Sequence, residues 1–472
     1  MYSKSVMTSH NGNSPSASEI CPRVKQSVES AVVEQGEKVS MDKSRVQSRA
    51  KGAIVFVALL TTVILFTNCG GGTSVASGPG SSGPAQPVSR FGAGTGATGQ
   101  TAAAKFLYAT VAPSGAPNAL ITQSDGTLTL EGPGMVNSGG SQTMAIDPTG
   151  TFFYETSVFA SQISGPTIPG GIWAFTINRS DGLLTAGTGS PYLSNLNFYS
   201  DVIDQQGKFL YAHGPLGVYA FSIQSGTGAL TQIAGSPFSS AGPFVLSATQ
   251  PVNRMAIDQT NHFLYVSTTA GIAGFSVNQS TGELSSLSGS PFGSNVTNPA
   301  AIVITPDNQF LYETGTPPGN NFANDGNLYG YGLNQTTGAL TPLPGSPFGV
   351  GQCGTGGAQG VPGKGGAPDN MTIASQSKFL YLSNCGTYSI NATTGALMQV
   401  SSLVPGDWPV MDPTGNLLWA ITVQQGCQIS CNVGVSAYQV DQNTGNLTAV
   451  PNSMVVLANF QFGTVESLAI TK

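Results

Sequence analysis

Short alternations of apolar and polar residues recur along the chain from about Phe106 to Leu447, separated by turns rich in Gly, Asn, Asp, Ser and Pro. Successive side chains of a strand point to opposite faces, so this alternation predicts half-buried β-strands. One stretch shows the pattern most plainly. Met255-Ala256-Ile257-Asp258 alternates, Gln259-Thr260-Asn261 turns the chain, and Phe263–Ser267 runs back. A Gly-containing bend leads to Ile272–Val277, then Ser280-Thr281-Gly282 makes a tight turn, because glycine accepts the positive φ that such turns require. Glu283–Leu287 reads as an outer strand, and Gly289-Ser290-Pro291-Phe292 leads away from it. Proline cannot donate to a strand ladder, which suits the exit from an edge strand.

The same unit occurs seven times. Its second strands carry Phe106-Leu107-Tyr108, Phe152-Phe153-Tyr154, Phe209-Leu210-Tyr211, Phe263-Leu264-Tyr265, Phe310-Leu311-Tyr312, Phe379-Leu380-Tyr381 and Leu417-Leu418-Trp419. A repeat of roughly fifty residues built from short strands signals a propeller. The predicted fold is all-β: a seven-bladed β-propeller of four-stranded antiparallel blades, one domain over residues 101–472. The array begins on a second strand at Lys105, and the chain ends on Ser467-Leu468-Ala469-Ile470-Thr471, which reads as a first strand like Ala301–Thr305. The C-terminal strand is therefore expected to close the ring as the inner strand of the first blade.

The segments ahead of the repeats differ in composition. Residues 1–52 are polar, without apolar periodicity until a basic stretch, and read as a disordered extension. Met41 opens MDKSRVQSRAK and is the expected translation start. Residues 53–66 form an uncharged apolar run, preceded by Lys43, Arg45, Arg49 and Lys51 and followed by Asn68-Cys69-Gly70, so 53–69 has the layout of an export signal. The run is shorter than the roughly 20 residues that span a bilayer. Cys69 stands where a bacterial lipoprotein signal places its lipidated cysteine, although Asn68 and Phe66 depart from that pattern. A cleaved signal or an uncleaved membrane anchor is the alternative. Residues 70–100 read as a flexible Gly/Ser/Pro tether. The expected location is the bacterial cell envelope, with membrane attachment through the N-terminus and a monomeric propeller.

Charge narrows the partners. Only 8% of the 472 residues are charged and the net charge is −6, against about 25% charged residues in an average soluble protein. Beyond residue 52 the basic residues are scattered, so no basic stripe exists to bind a phosphate backbone and nucleic acid is excluded.

The turns fall into two classes. Those at Asp147–Gly150, Asp307–Gln309, Asp412–Gly415, Thr337-Gly338 and Thr444-Gly445 are short and uniform, whereas loops 155–171, 313–327, 349–370 and 420–434 vary. In an up-and-down blade both variable classes lie on one face, and variable loops on a rigid scaffold are where binding resides. Ligand-binding candidates there are Glu155, Tyr199, Asn253, Asp369, Asn370, Asp407, Trp408 and Glu466, with Glu313 at the position in blade five equivalent to Glu155. His213 and Arg254 are the catalytic candidates: a general base, and a cation for a carboxylate or developing oxyanion. The other reading of His213 is an exposed loop histidine beside Gly214. Asp369, Asn370, Asp407 and Glu466 supply oxygens from neighbouring blades that could hold Ca²⁺, with water-filled polar lining as the favoured alternative; no metal or other cofactor is assigned. Cys353 and Cys385, and Cys427 and Cys431, lie in neighbouring loops of an exported chain and are expected to form two disulfides. A zinc site of four cysteines is the alternative.

The run "AIxPDGxFLYV … VxxFxxNxxTGxLT" resembles the lactonase-type seven-bladed propeller family, which includes bacterial 6-phosphogluconolactonase and fungal carboxymuconate-lactonising enzyme. The resemblance covers all seven repeats and implies lactone hydrolysis or formation. It implies an Arg-His pair at the starts of inner strands, a place where only Arg254 matches, shifted by one. A phosphorylated substrate would need several Lys or Arg in the pocket, and Arg254 stands nearly alone. Two functions follow as expectations: hydrolysis of an unphosphorylated lactone, or non-catalytic recognition of a cell-envelope polymer, peptide or partner protein.

Overall fold

Each strand-turn-strand unit folds as an antiparallel sheet whose strands follow one another outward in chain order. The computed structural model describes residues 105–471, excepting 112–115, 133–139, 159–168, 241–253, 294–295, 297, 317–326, 351–369, 384, 402–405, 424–431 and 460–464. The segments 1–52, 53–69 and 70–100 lie outside the described residues.

Seven sheets are present. From the channel outward, blade 2 comprises Gly140–Ile146, Phe152–Val158, Gly171–Ile177 and Leu184–Ala186. Blade 3 comprises Ser200–Ile203, Phe209–Gly214, Gly217–Ile223 and Leu230–Gln232, and blade 4 Met255–Ile257, Phe263–Thr268, Gly271–Val277 and Leu284–Ser286. Blade 5 follows with Asn298–Ile304, Phe310–Thr316, Asn327–Leu333 and Leu340–Pro342. Blade 6 has Met371–Ile373, Phe379–Leu382, Gly386–Ile390 and Leu397–Ser401; blade 7 has Asp407–Met411, Leu417–Val423, Asn432–Val440 and Leu447–Ala449. Blade 1 is assembled from both chain ends: Lys105–Val111, Ala116–Thr122 and Leu128–Gly132, with Val465–Ile470 innermost. Leu107 pairs with Ile470 and Ala109 with Leu468, so the C-terminal strand closes the ring as expected. The seven inner strands touch in an unbroken cycle, and no helix occurs among the described residues.

The repeated residues tie each blade to the next. The hydroxyls of Tyr108, Tyr154, Tyr211, Tyr265 and Tyr312 donate to the carbonyls of Gly182, Gly228, Gly282, Gly338 and Gly395 on the following blade, at 2.6–3.1 Å. The Phe two residues before each Tyr packs on the same glycine. At Gly282, with φ +75°, an added Cβ would come within 2.5 Å of both Phe209 and Ile233. Only glycine satisfies that backbone and that contact together. Burial, more than the neighbouring Asp charges, raises these phenol pKa values above the ordinary 10, so the hydroxyls stay protonated donors.

The short turns between first and second strands are held by one side chain. Asp147 Oδ1 accepts the N–H groups of Thr151 and Phe152, and Asp204, Asp258 and Asp412 act alike. In blade 5 the Thr305 hydroxyl takes this part for Phe310, and in blade 1 Thr471 does so for Phe106.

The Gly-Ser-Pro-Phe segments do more than lead away from an edge. The serine hydroxyls of Ser190, Ser236, Ser290 and Ser346 accept third-strand N–H groups at 2.9–3.0 Å, and each Ser-Pro bond is cis. Tyr192, Phe238 and Phe292 then bridge back to the third strand, and in blades 5 and 7 this return lengthens into fifth strands, Phe348–Gly349 and Val455–Asn459.

Two of the seven junctions lack the phenol clasp. Tyr381 Oη and Trp419 Nε1 are buried with no hydrogen-bond partner among the described residues. Tyr265→Phe should therefore lower stability by about 1 kcal/mol, since it orphans the Gly338 carbonyl. Tyr381→Phe should be neutral or stabilising. Urea unfolding of both variants checks this; equal losses would contradict the assignment of the clasp.

Candidate functional site

Opposite the Asp-held turns, the inner strands begin and the second strands end. Register aligns these positions around the ring. One level holds Thr143, Ser200, Arg254, Ala301, Asn370, Trp408 and Ser467 on the inner strands. Across from them stand Thr110, Thr156, His213, Ser267, Thr314, Ser383 and Ile421 on the second strands. Most are hydroxyl residues and nearly all are buried. Their hydroxyls satisfy backbone N–H groups where the ladder opens: Thr156 for Thr143, Thr314 for Ala301 and Ser383 for Asn370, at 3.0–3.2 Å.

From blade 2 to blade 5 these contacts join into a polar belt. Thr156 Oγ1 and Thr143 Oγ1 lie 2.9 Å apart, and the Thr143 hydroxyl donates to Asp201 Oδ1 at 2.5 Å while accepting the Asp201 N–H. The Arg254 N–H donates to Ser200 Oγ at 3.2 Å, and the Arg254 carbonyl accepts the Ser267 N–H. The Ser267 hydroxyl donates to Glu313 Oε1. All the buried charge-bearing residues of this level, and of the next level inward along the strands, lie on blades 2–5: Glu155, Asp201, His213, Arg254 and Glu313. Blades 6, 7 and 1 carry neutral contacts there, such as Thr110 with Ser467 at 2.9 Å.

The structure brings three of the sequence candidates together. Tyr199 donates its N–H to the His213 carbonyl at 3.0 Å, and Ser200 pairs with His213. Arg254 lies close enough to perturb both side chains electrostatically. His213 is not a loop residue. It lies inside the strand Phe209–Gly214, 1% exposed, with Nε2 3.4 Å from Ser240 Oγ. Burial first, and the Arg254 charge second, push its pKa from 6.5 down to about 3, so the imidazole is neutral at physiological pH. Burial raises the Tyr199 phenol, with Asn197 and Arg254 partly offsetting it.

The remaining candidates lie elsewhere. Glu155 and Glu313 are buried within second strands of blades 2 and 5, facing Met144 and Ile302, rather than on the loops that follow. Trp408 is buried at φ +47° and its indole N–H donates to the Leu468 carbonyl at 3.0 Å, joining blade 7 to blade 1. Asp407 is half-buried and accepts the Trp408 N–H; Asn370 is buried on blade 6. Glu466 lies on Val465–Ile470, and Asn253, Asp369, Cys69, Cys353, Cys427 and Cys431 lie outside the described residues. Cys385 is buried at the turn before Gly386–Ile390. Among the described residues no group of three or more His, Cys, Asp or Glu could hold a metal ion.

Asp201 is the residue that sequence reading missed. Burial raises its carboxyl from 3.8 to about 7, against the lowering by the Thr143 hydrogen bond. Its signal was visible: the aligned inner-strand positions are Met144, Met255, Ile302, Met371, Pro409 and Leu468, so an acid stands in an apolar register.

No protein-family model and no curated protein sequence matches the chain. Among solved structures the fold is similar to that of a Bacteroides uniformis protein provisionally described as a 6-phosphogluconolactonase. The two share 13% identity and a TM-score of 0.55 over 78% of this chain and 100% of that one. A Bacteroides fragilis protein of the same provisional description gives 16% identity and a TM-score of 0.54 over 80% and 100%. A Lactobacillus plantarum protein gives 17% and 0.53 over 78% and 99%. At these identities the likeness is one of fold, a lactonase-like propeller, and carries no side-chain chemistry across.

The two shifted groups make opposite contributions to stability. Asp201 keeps its proton in the fold up to about pH 7 but loses it near pH 4 when unfolded, so stability falls as pH rises through that interval. His213 refuses a proton in the fold until about pH 3 but takes one near pH 6.5 when unfolded, so stability falls as pH drops. Between about pH 4 and 6.5 the slopes oppose each other. Asp201→Asn should leave stability rising with pH there, and His213→Gln should leave it falling. Urea midpoints across that range test the signs; parallel slopes in both variants would refute the burial of these charges.

Proposed function

We propose that the belt on blades 3 and 4 binds an unphosphorylated lactone and hydrolyses it. The observation that carries this reading is the grouping of Arg254, the only buried Lys or Arg among the described residues, with His213 and Tyr199. A guanidinium in a low-dielectric setting stabilises the oxyanion that forms when water adds to a lactone carbonyl. The neutral imidazole accepts a proton from that water. A single cation suits an uncharged ring and not a phosphorylated sugar, which would call for several. The lactonase-like fold of the solved structures supports the same class of substrate.

One observation favours a second reading, recognition without catalysis. A general base works best with a pKa near the working pH, and His213 is held at about 3. On this reading the belt binds a polymer, peptide or partner protein of the cell envelope. Hydrolysis of a panel of neutral γ- and δ-lactones by wild type, His213→Ala and Arg254→Ala separates the two. The hydrolase reading expects turnover in wild type and a loss of about a hundredfold or more in either variant. No turnover on any lactone would favour recognition alone.

The reading includes export through residues 53–66, attachment to the membrane at Cys69 and disulfides Cys353–Cys385 and Cys427–Cys431. The disulfide-bonded state of Cys385 supports the first pair. Peptide mapping of the exported protein with and without reductant should find both crosslinks and a lipid on Cys69. Free thiols at the four loop positions would eliminate the pairing.

A further inference from the structure

Asp201 is an anomaly on energetic grounds. It sits on Ser200–Ile203, the channel edge of blade 3, and is 5% exposed. Every other inner strand carries an apolar residue at this register, and the backbone needs no carboxylate there. Oδ1 is fixed by the Thr143 hydroxyl at 2.5 Å, while Oδ2 is buried with no hydrogen-bond partner among the described residues. A buried polar atom left unpaired forfeits its hydration without a replacement, and such groups in native proteins call for a reason. With Thr143 donating to Oδ1, a proton on the carboxyl belongs on Oδ2, which makes Oδ2 a donor in need of an acceptor.

We propose that Asp201 is a ligand-binding residue of the channel site, its neutral carboxyl donating from Oδ2 to a carbonyl or ring oxygen of an uncharged, oxygen-rich ligand. This rests on the lactone reading for the ligand class, and adds a specificity element on the side of blade 3 that faces Thr143 of blade 2. A carboxyl in this state rejects anionic ligands once it ionises and accepts neutral ones while it is protonated. The elements packed against its strand bring few other charges: Tyr154 and Glu155 on the second strand of blade 2, Tyr211 and His213 on its own blade, and Arg254 where blade 4 begins. The proton is retained through burial, not through a neighbouring charge.

The test uses the full propeller and the non-hydrolysable probe D-glucono-1,5-lactam. Binding to wild type should be constant below pH 6 and weaken about tenfold per pH unit above 7. Asp201→Asn keeps a donor at the same place, so it should bind with flat pH dependence; Asp201→Ala should bind about tenfold or more weakly at every pH. Infrared difference spectra of the unliganded wild type should show a neutral carboxylic C=O stretch at pH 6 that is absent from Asp201→Asn and shifts when the lactam is added. A wild-type profile that matches Asp201→Asn, or a lactam that binds at no pH, would overturn the proposal. Lactone turnover with a pH-flat lactam affinity would sink this inference alone, whereas lactam binding without any turnover would sink the hydrolase reading alone.

Discussion

The ring is held by a contact that no blade can make by itself: a phenylalanine ring and a tyrosine hydroxyl of one second strand meeting a glycine of the next blade's outer turn. The glycine must adopt positive φ to make its turn and must lack a Cβ to admit the ring. The phenol then takes the carbonyl that the turn exposes. Steric fit, backbone conformation and hydrogen bonding all depend on the same residue. The clasp is why the sequence repeats so strictly at Phe-x-Tyr and Thr-Gly and so loosely elsewhere. Between blades 6, 7 and 1 the hydroxyl part of the clasp is lost, and the ring there relies on apolar packing around Trp419 and on the C-terminal strand.

With the blades locked by outer residues, the inner strands are free to carry groups that do not pack well. Blades 2–5 use that freedom. Five charge-bearing side chains are buried at one end of the channel, where desolvation works against every ionised form. It holds His213 neutral and keeps the Asp201 carboxyl protonated up to about pH 7, while Arg254 retains its proton. The low charge content of the whole chain matches this sparing use of buried charge.

Much of the fold was legible in the chain. Strand alternation, glycine turns and the Phe-Leu-Tyr cores placed the blades, and the match of Ser467–Thr471 to a first strand foretold the closure that Leu107 and Ile470 make. The site was legible only in part. His213 and Arg254 were recognisable as rare residue types at suggestive positions, and the Arg254 charge reaches the His213 ring. His213 beside Gly214 looked like a loop residue because glycine commonly ends a strand, yet here the ladder continues through Gly214 to Gly217. Trp408 was a ligand-binding candidate at the channel mouth, and the structure turns its indole onto the Leu468 carbonyl. Asp201 passed unnoticed because a polar residue in an alternating strand normally faces solvent, and its register had to be aligned with six other blades before it stood out.

By itself the sequence determined the number of blades, the order of strands, the turns and the way the ends join, because these depend on local periodicity and on residues that each repeat must supply for its neighbour. The tertiary structure alone decided which polar residues share one buried belt, which oxygen of Asp201 is left over, and which charges survive burial. Those outcomes depend on desolvation and on distances between residues some fifty positions apart, and neither quantity is written in any single repeat.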